Sequence, residues 1–297
     1  MARIKLLSPF RALLPETWMA AGTLIPVIRL TGTIGMATPL RQGLSLAVVS
    51  GVIERAFSFK DSPAVAVIVN SPGGSPVQSR LIYQRIRDLA QEEAKKVYVF
   101  TEDVAASGGY ILALAGDEIY ADTSSIVGSI GVISAGFGLH EAINRLGVER
   151  RIYTAGEKKM LLDPFQPEDP DDVGRLKRIQ KIVHQDFIDL VKQRRGAKIE
   201  QAGDQLFTGE FWTGRQAREL GLIDGLSDVR SRMREVYGED VRLRLISPER
   251  SLFFRRARGV GVERAGLPDM SSGLTHGWAD ELLSALEERA LWSRYGL

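Results

Sequence analysis

The sequence predicts an α/β fold with a mostly parallel sheet and flanking helices. Three observations carry this. Residues 64–69 (AVAVIV) form a near-continuous apolar run, and 96–101 (KVYVFT) is rich in β-branched and aromatic residues, as buried parallel strands require. Helical stretches alternate with them: 44–57 (LSLAVVSGVIERAF), and 79–90 (SRLIYQRIRDLA) with Leu81, Ile82, Ile86 and Leu89 inward. Dense turn signals follow both strands, Asn70-Ser-Pro-Gly-Gly-Ser75 and Asp103-Val-Ala-Ala-Ser-Gly-Gly-Tyr110, where open α/β sheets place ligand sites.

Taken in order, 23–32 reads as the first strand, 44–57 as a helix, 64–69 as a strand, 79–90 as a helix, 97–101 as a strand and 107–115 as a helix. Residues 118–121 and 130–133 read as further short strands, 141–146 as the start of a helix, 149–154 as a strand and 155–170 as a loop. The charged stretch 170–195 keeps helical spacing at Val173, Leu176, Ile179, Val183, Phe187 and Leu190. Then come a turn–helix unit (207–209 and 212–221), a short strand (222–224), a helix (229–237) and an edge strand (241–246). Past Ser247 the texture changes. Residues 253–258 (FFRRAR) are basic and aromatic, 259–277 read as a Gly/Ser/Pro-rich solvated linker, and 278–292 as an amphipathic helix with Leu282, Leu286 and Leu291. The chain divides into an N-terminal extension (1–22), a central domain (23–246) and a C-terminal tail (247–297).

The 297 residues are 44% hydrophobic and 26% charged, with net charge +2, an ordinary globular balance without the basic stripe of a nucleic-acid binder. The absence of cysteine excludes disulfides, zinc–thiolate sites and a cysteine nucleophile. His140, His184 and His276 lie far apart in sequence, so neither a histidine-rich metal site nor any cofactor is expected. No run reaches the roughly 18 apolar residues of a spanning helix. The best, 18–28, is broken by Gly22 and Pro26, and 1–16 reads as a leader or a weak amphipathic membrane contact. The expected location is cytoplasmic, with peripheral contact to the inner face of the membrane.

Ser107 sits between small residues on a turn from strand to helix. Glycines there permit a sharp turn and close approach of substrate, and a helix N-terminus favours an oxyanion. On its own the stretch favours a plainer reading, a serine that caps a helix. The Asn70-Ser-Pro-Gly-Gly74 turn raises the functional one: Gly74 and Gly108 can each offer an N–H to an oxyanion, and Gly73 keeps the approach open. Ala105, Ala106, Val132 and Ile133 suit an apolar groove. A serine needs a base. No histidine lies in a convincing loop, while 155–162 offers Lys158 and Lys159, and a lysine neutralised by burial can serve.

These four ordered motifs, with Gly128-Ser-Ile-Gly-Val132 and Ala155-Gly-Glu-Lys-Lys159 as the third and fourth, resemble the signal peptide peptidase A (SppA) group of serine–lysine peptidases. Phe207-Thr-Gly209 and 217–224 match the group's downstream pattern, so the resemblance covers about 23–246. It implies a Clp protease/crotonase-like fold, here followed by a C-terminal extension. It also implies Ser107 as nucleophile, Lys159 as base, counted as Gly-x-x-Lys from Gly156, and Ser129 as the hydrogen-bond partner that orients the lysine. Lys158 stands where members commonly have an aromatic residue, and Met160 where they have a polar one. The implied assembly is a homo-oligomeric ring, an octamer among the sizes allowed, with serine and lysine from adjacent subunits. The implied substrates are short apolar peptides such as cleaved signal peptides. Two other readings stay open: an acyl-CoA hydratase or isomerase using Glu102 or Asp103, and a ring scaffold with a vestigial dyad.

Overall fold

The computed structural model describes residues 22–35, 43–156, 158–247, 286 and 288–297. The leader and nearly all of the linker and terminal helix expected from the sequence lie outside them. Three parallel strands form the centre: β1 (Leu24–Thr31), β2 (Ala64–Ser71) and β3 (Lys96–Ala106). They are connected through α1 (Leu46–Phe57) and α2 (Pro76–Glu92). β2 is buried on both faces, which is why its sequence shows no alternation. α2 starts where Ser75 accepts a hydrogen bond from Gln78 N–H and Pro76 takes the first turn. Its buried face holds Ile82, Tyr83, Ile86 and Leu89, whereas Leu81, expected inward, is exposed because it lies one residue off that stripe.

α3 (Gly108–Ala113), β4 (Glu118–Ala121) and β5 (Ile126–Gly128) follow, then α4 (His140–Arg145) and the 26-residue α5 (Pro170–Arg195). β6 (Phe211–Thr213), α6 (Gly214–Glu219), β7 (Gly225–Leu226), α7 (Val229–Tyr237) and β8 (Arg242–Leu245) complete the order. The sheet runs β6-β5-β3-β2-β1-β8, with β4 and β7 branching from β3. Every pairing is parallel except β5–β6. One face carries the main core under α1, α2 and α3, and the other packs on α7 through Tyr98, Phe100, Tyr120 and Met233.

Two expected strands differ. The strand placed at 130–133 ends earlier, at Gly128, because Gly128 and Ser129 adopt φ of 114° and 53° and turn the chain out of the ladder. Residues 149–154, expected as a strand, pair with no strand among the described residues, and they lie almost wholly exposed. The segment around them displays large apolar side chains to solvent: Ile133, Phe137, Leu146 and Tyr153 are 67%, 79%, 76% and 90% exposed. α5 buries only its end, through Phe187, Leu190, Val191 and Arg195, and leaves Ile179 and Ile182 in the open.

That end is fastened by a buried ion pair. Arg195 donates to both carboxylate oxygens of Asp224 at 2.9 and 3.2 Å and, through Nε, to the carbonyl of Gly221 at 2.8 Å. Burial pushes the Asp224 carboxyl up, but Arg195 and Lys198 outweigh it and hold it below its ordinary value. Its stabilising effect is therefore full above a pH near 3.8 and is lost as pH falls below that value. Asp224→Asn leaves Arg195 buried without its counter-charge and is expected to cost about 3 kcal/mol in denaturant unfolding at neutral pH. The stability of the variant should also fall less steeply than that of the parent on acidification below pH 4 or so.

Candidate active site

β3 changes neighbours partway along. Tyr98–Thr101 pair with β4, and Val104–Ala106 pair with β5. Against β2, Val69 pairs with Thr101 but Ser71 pairs with Ala105, so β3 advances four residues where β2 advances two. The surplus is a bulge at Glu102-Asp103, of the kind that re-aims side chains next to sites. Asn70 pins it: Asn70 Nδ2 donates to Asp103 Oδ2 at 2.6 Å, and Asn70 Oδ1 accepts from Val104 N–H at 3.2 Å. Sequence reasoning took Asn70 as a turn residue and ended the strand at Thr101. Its role depends on a contact 33 positions away.

Beyond the bulge β3 delivers Ser107. Its N–H donates to the Gly128 carbonyl at 2.8 Å, and its φ and ψ are 53° and −121°. An L-residue held in such a sharp strand-to-helix turn costs about 1–3 kcal/mol. The side chain caps nothing: α3 has no side-chain cap bond from Ser107. The plainer reading of this serine as an N-cap is therefore set aside by geometry.

The Gly73-Gly74 turn meets this serine from the end of β2. A Cβ added to Gly73 would lie 2.9 Å from Ser107 Cβ and 2.9 Å from the Gly108 nitrogen, so only glycine fits. One on Gly74, at φ 137°, would lie 2.1 Å from the Ile34 carbonyl oxygen. Ile34 clamps the turn on its other side, donating to the Gly73 carbonyl at 2.9 Å and accepting from Ser75 N–H at 2.8 Å. Among the described residues, the N–H groups of Gly74 and Gly108 have no hydrogen-bond partner. They are close together, since a Cβ on Gly108 would be 3.4 Å from the Gly74 nitrogen.

Gly74, Ser107, Gly108 and Val132 line one cavity of about 370 Å³ together with Val77, Ile111, Phe187 and Leu190. Arg80 and Asp186 are its charged residues, and neither was singled out from the sequence; both come from helix faces that pass for ordinary solvated ones. Gly131, also in the lining, packs on the 207–209 turn: a Cβ there would be 3.0 Å from Gly209 Cα. The residue after that turn holds Ser129, whose N–H donates to the Glu210 carbonyl at 2.7 Å. Ser129 is buried, at φ 53°, one residue beyond the carbonyl that ties Ser107. His184 hydrogen-bonds the Ile130 carbonyl at 3.1 Å and so backs this wall.

Ile133 is exposed and lies outside the cavity lining. Lys158 and Lys159 are exposed on their loop, and the lining contains neither. The carboxylates weighed for a hydratase are engaged elsewhere: Glu102 pairs with Arg29 at 2.6 Å, and Asp103 accepts from Asn70. Among the described residues no cluster of His, Cys, Asp and Glu could hold a metal ion.

The sequence model of peptidase family S49 matches residues 89–239. The chain is 55% identical over 288 residues to a Brucella abortus protein named Na(+)/H(+) antiporter NhaA, covering 97% of this chain but 39% of that one. It is 31% identical over 207 residues to the chloroplastic serine protease SPPA of Arabidopsis thaliana, covering 68% of this chain and 30% of that one. It is 28% identical to the probable protease SohB of Haemophilus influenzae, covering 68% and 58%. The chain thus spans well under half the length of the Brucella relative, and the shared 288 residues take in the whole of the S49-matched stretch. Among the described residues no helix is long and apolar enough to cross a membrane.

The strain at Ser107 has a measurable consequence. Ser107→Gly relieves the unfavourable φ, and the larger entropy of an unfolded glycine offsets part of the gain. Thermal unfolding should show the glycine variant about 1 kcal/mol more stable than Ser107→Ala. Equal or lower stability would show that the turn is unstrained.

Proposed function

Since the chain belongs to peptidase family S49, we propose that it is a serine endopeptidase in which Ser107 and Lys159 form the dyad. One observation carries this reading. Ser107 is held at a strained φ of 53° beside two unpartnered N–H groups, in a cavity whose walls are mainly apolar. Ser107 Oγ attacks the peptide carbonyl carbon as its proton passes to a lysine Nζ. The resulting oxyanion takes hydrogen bonds from Gly74 and Gly108, each worth about 10²–10³ in rate. The tetrahedral intermediate expels the amine, which leaves with the lysine's proton, and water then releases the acyl group by the reverse proton path. Val77, Ile111, Val132, Phe187 and Leu190 suit apolar side chains, which fits short apolar peptides such as spent signal peptides as substrates.

The lysine comes from an adjacent subunit of a ring. Two features support this. The lining of the Ser107 cavity has no lysine, and the segment that carries Lys159 is the one that exposes Phe137, Leu146 and Tyr153. An exposed apolar patch of that extent is typical of a surface that meets another chain. A lysine covered at such an interface loses its hydration and is favoured in the neutral form that can accept a proton. Ser129, buried beside Ser107, orients it.

Ser107→Ala and Lys159→Ala should each lower cleavage of an apolar fluorogenic peptide by about 10³-fold or more. Mixing the two inactive proteins after dissociation should restore about a quarter of parental activity, because random rings re-create that share of intact pairs. No restoration would place both residues in one subunit or remove Lys159 from the dyad. Asn70→Ala keeps the reacting groups but frees the bulge that positions Ser107. It should lower kcat by about 10²-fold with KM little changed, the pattern of misplacement rather than lost binding.

A further inference from the structure

The second face of the sheet changes cover at the β3 bulge. Before the bulge, Tyr98 and Phe100 pack with Tyr120 and with Met233 of α7. Beyond it, Ala105 faces the main core, and Val104 and Ala106 face the other way. There the apolar cover is Trp292 and Tyr295 rather than α7. Val104 and Ala106 are completely buried. Residues 288–293 are helical, and a turn follows. In it the Trp292 carbonyl accepts from the N–H of Tyr295 at 2.9 Å and of Leu297 at 3.3 Å. Three residues apart, the two aromatic side chains share one side of this turn.

Their contacts fall on three neighbouring strands: Val104 and Ala106 of β3, Ile126 of β5, and Phe211 of β6, whose ring meets that of Tyr295 edge-on at 5.1 Å. Each contact adjoins a backbone bond of the candidate site. Ala106 precedes Ser107 and pairs with Gly128. Ile126 is on the strand whose Gly128 carbonyl accepts from Ser107 N–H. Phe211 follows Glu210, whose carbonyl accepts from Ser129 N–H. Neither aromatic lines the Ser107 cavity. The Tyr295 hydroxyl is buried without a hydrogen-bond partner, so the ring makes the contact and the hydroxyl opposes it. We infer that Trp292 and Tyr295 are positioning residues for the proposed peptidase site: packed across β3, β5 and β6, they fix the strand ends that set Ser107 and Ser129. The inference rests on Ser107 as the nucleophile. Loss of this packing displaces the reacting serine and leaves the substrate walls in place.

The test compares the full-length parent with Tyr295→Ala and Tyr295→Phe. Each is titrated with a fluorophosphonate, reading the final amount of Ser107 adduct per chain and the rate constant of its formation, and each is assayed on an apolar fluorogenic peptide. Tyr295→Ala should reach the parental endpoint at a rate constant at least tenfold lower, with kcat reduced alike and KM little changed. Tyr295→Phe should match the parent in both readings, since it keeps the ring and removes only an unpartnered hydroxyl. A parental rate constant in Tyr295→Ala would overturn the inference. So would a lowered endpoint reached at the parental rate constant, which is the mark of partial unfolding, or a loss in Tyr295→Phe equal to that in Tyr295→Ala. If Tyr295→Ala is insoluble, Tyr295→Leu is read by the same criteria, and insolubility of both would overturn the inference by showing a fold-wide role. A parent that forms no Ser107 adduct would remove the nucleophile itself, a failure visible without any substitution.

Discussion

The candidate site depends on one constraint: β3 has to leave β4 and join β5 within a few residues without losing its hold on β2. The bulge at Glu102-Asp103 makes the switch, and Asn70 keeps it in register by satisfying one backbone and one side-chain group across the gap. An unpinned bulge in a buried central strand would leave polar backbone groups without partners, at about 1–3 kcal/mol each. With the pin in place, the end of β3 is rigid enough to hold Ser107 in a conformation that few L-residues adopt. The strain is borne by ladder bonds on both sides, to β2 through Ser71 and to β5 through Gly128.

Close packing then explains the glycines. Gly73 and Gly74 are glycines because backbone atoms of 34, 106 and 108 occupy the space a Cβ would need. The same crowding leaves two N–H groups facing no protein acceptor, which is costly in a folded protein unless a ligand or developing charge uses them. Gly209 and Gly131 do for the Ser129 segment what Gly73 does for Ser107, letting two backbones touch. The site is thus a meeting of three glycine-relieved backbone turns, and its chemistry resides in main-chain donors as much as in side chains.

The strands at 64–69 and 97–101 were legible because buried parallel strands are apolar throughout, and α5 because its apolar positions from Val173 to Leu190 keep helical spacing. Residues 149–154 misled because Ile152-Tyr153-Thr154 are β-formers by residue type alone, whereas a strand needs a neighbour within reach. Ser107 and the Pro-Gly-Gly turn were legible as motifs. Asn70's clamp, Arg80, Asp186 and the support from His184 were not, since each acts through contacts between residues far apart in sequence. Glu102-Asp103 read as the end of a strand because two acidic residues interrupt an apolar run. In the fold they are the bulge itself.

Residue-resolved labelling bears on Ser107 most directly. Reaction of the assembled protein with a fluorophosphonate, followed by peptide mapping, should place the phosphonyl adduct on Ser107 and on no other serine. Pre-incubation with an apolar peptide aldehyde should suppress it. An adduct on a different serine, or an assembled protein that takes up none while a control peptidase is labelled, would contradict the assignment of Ser107 as the nucleophile.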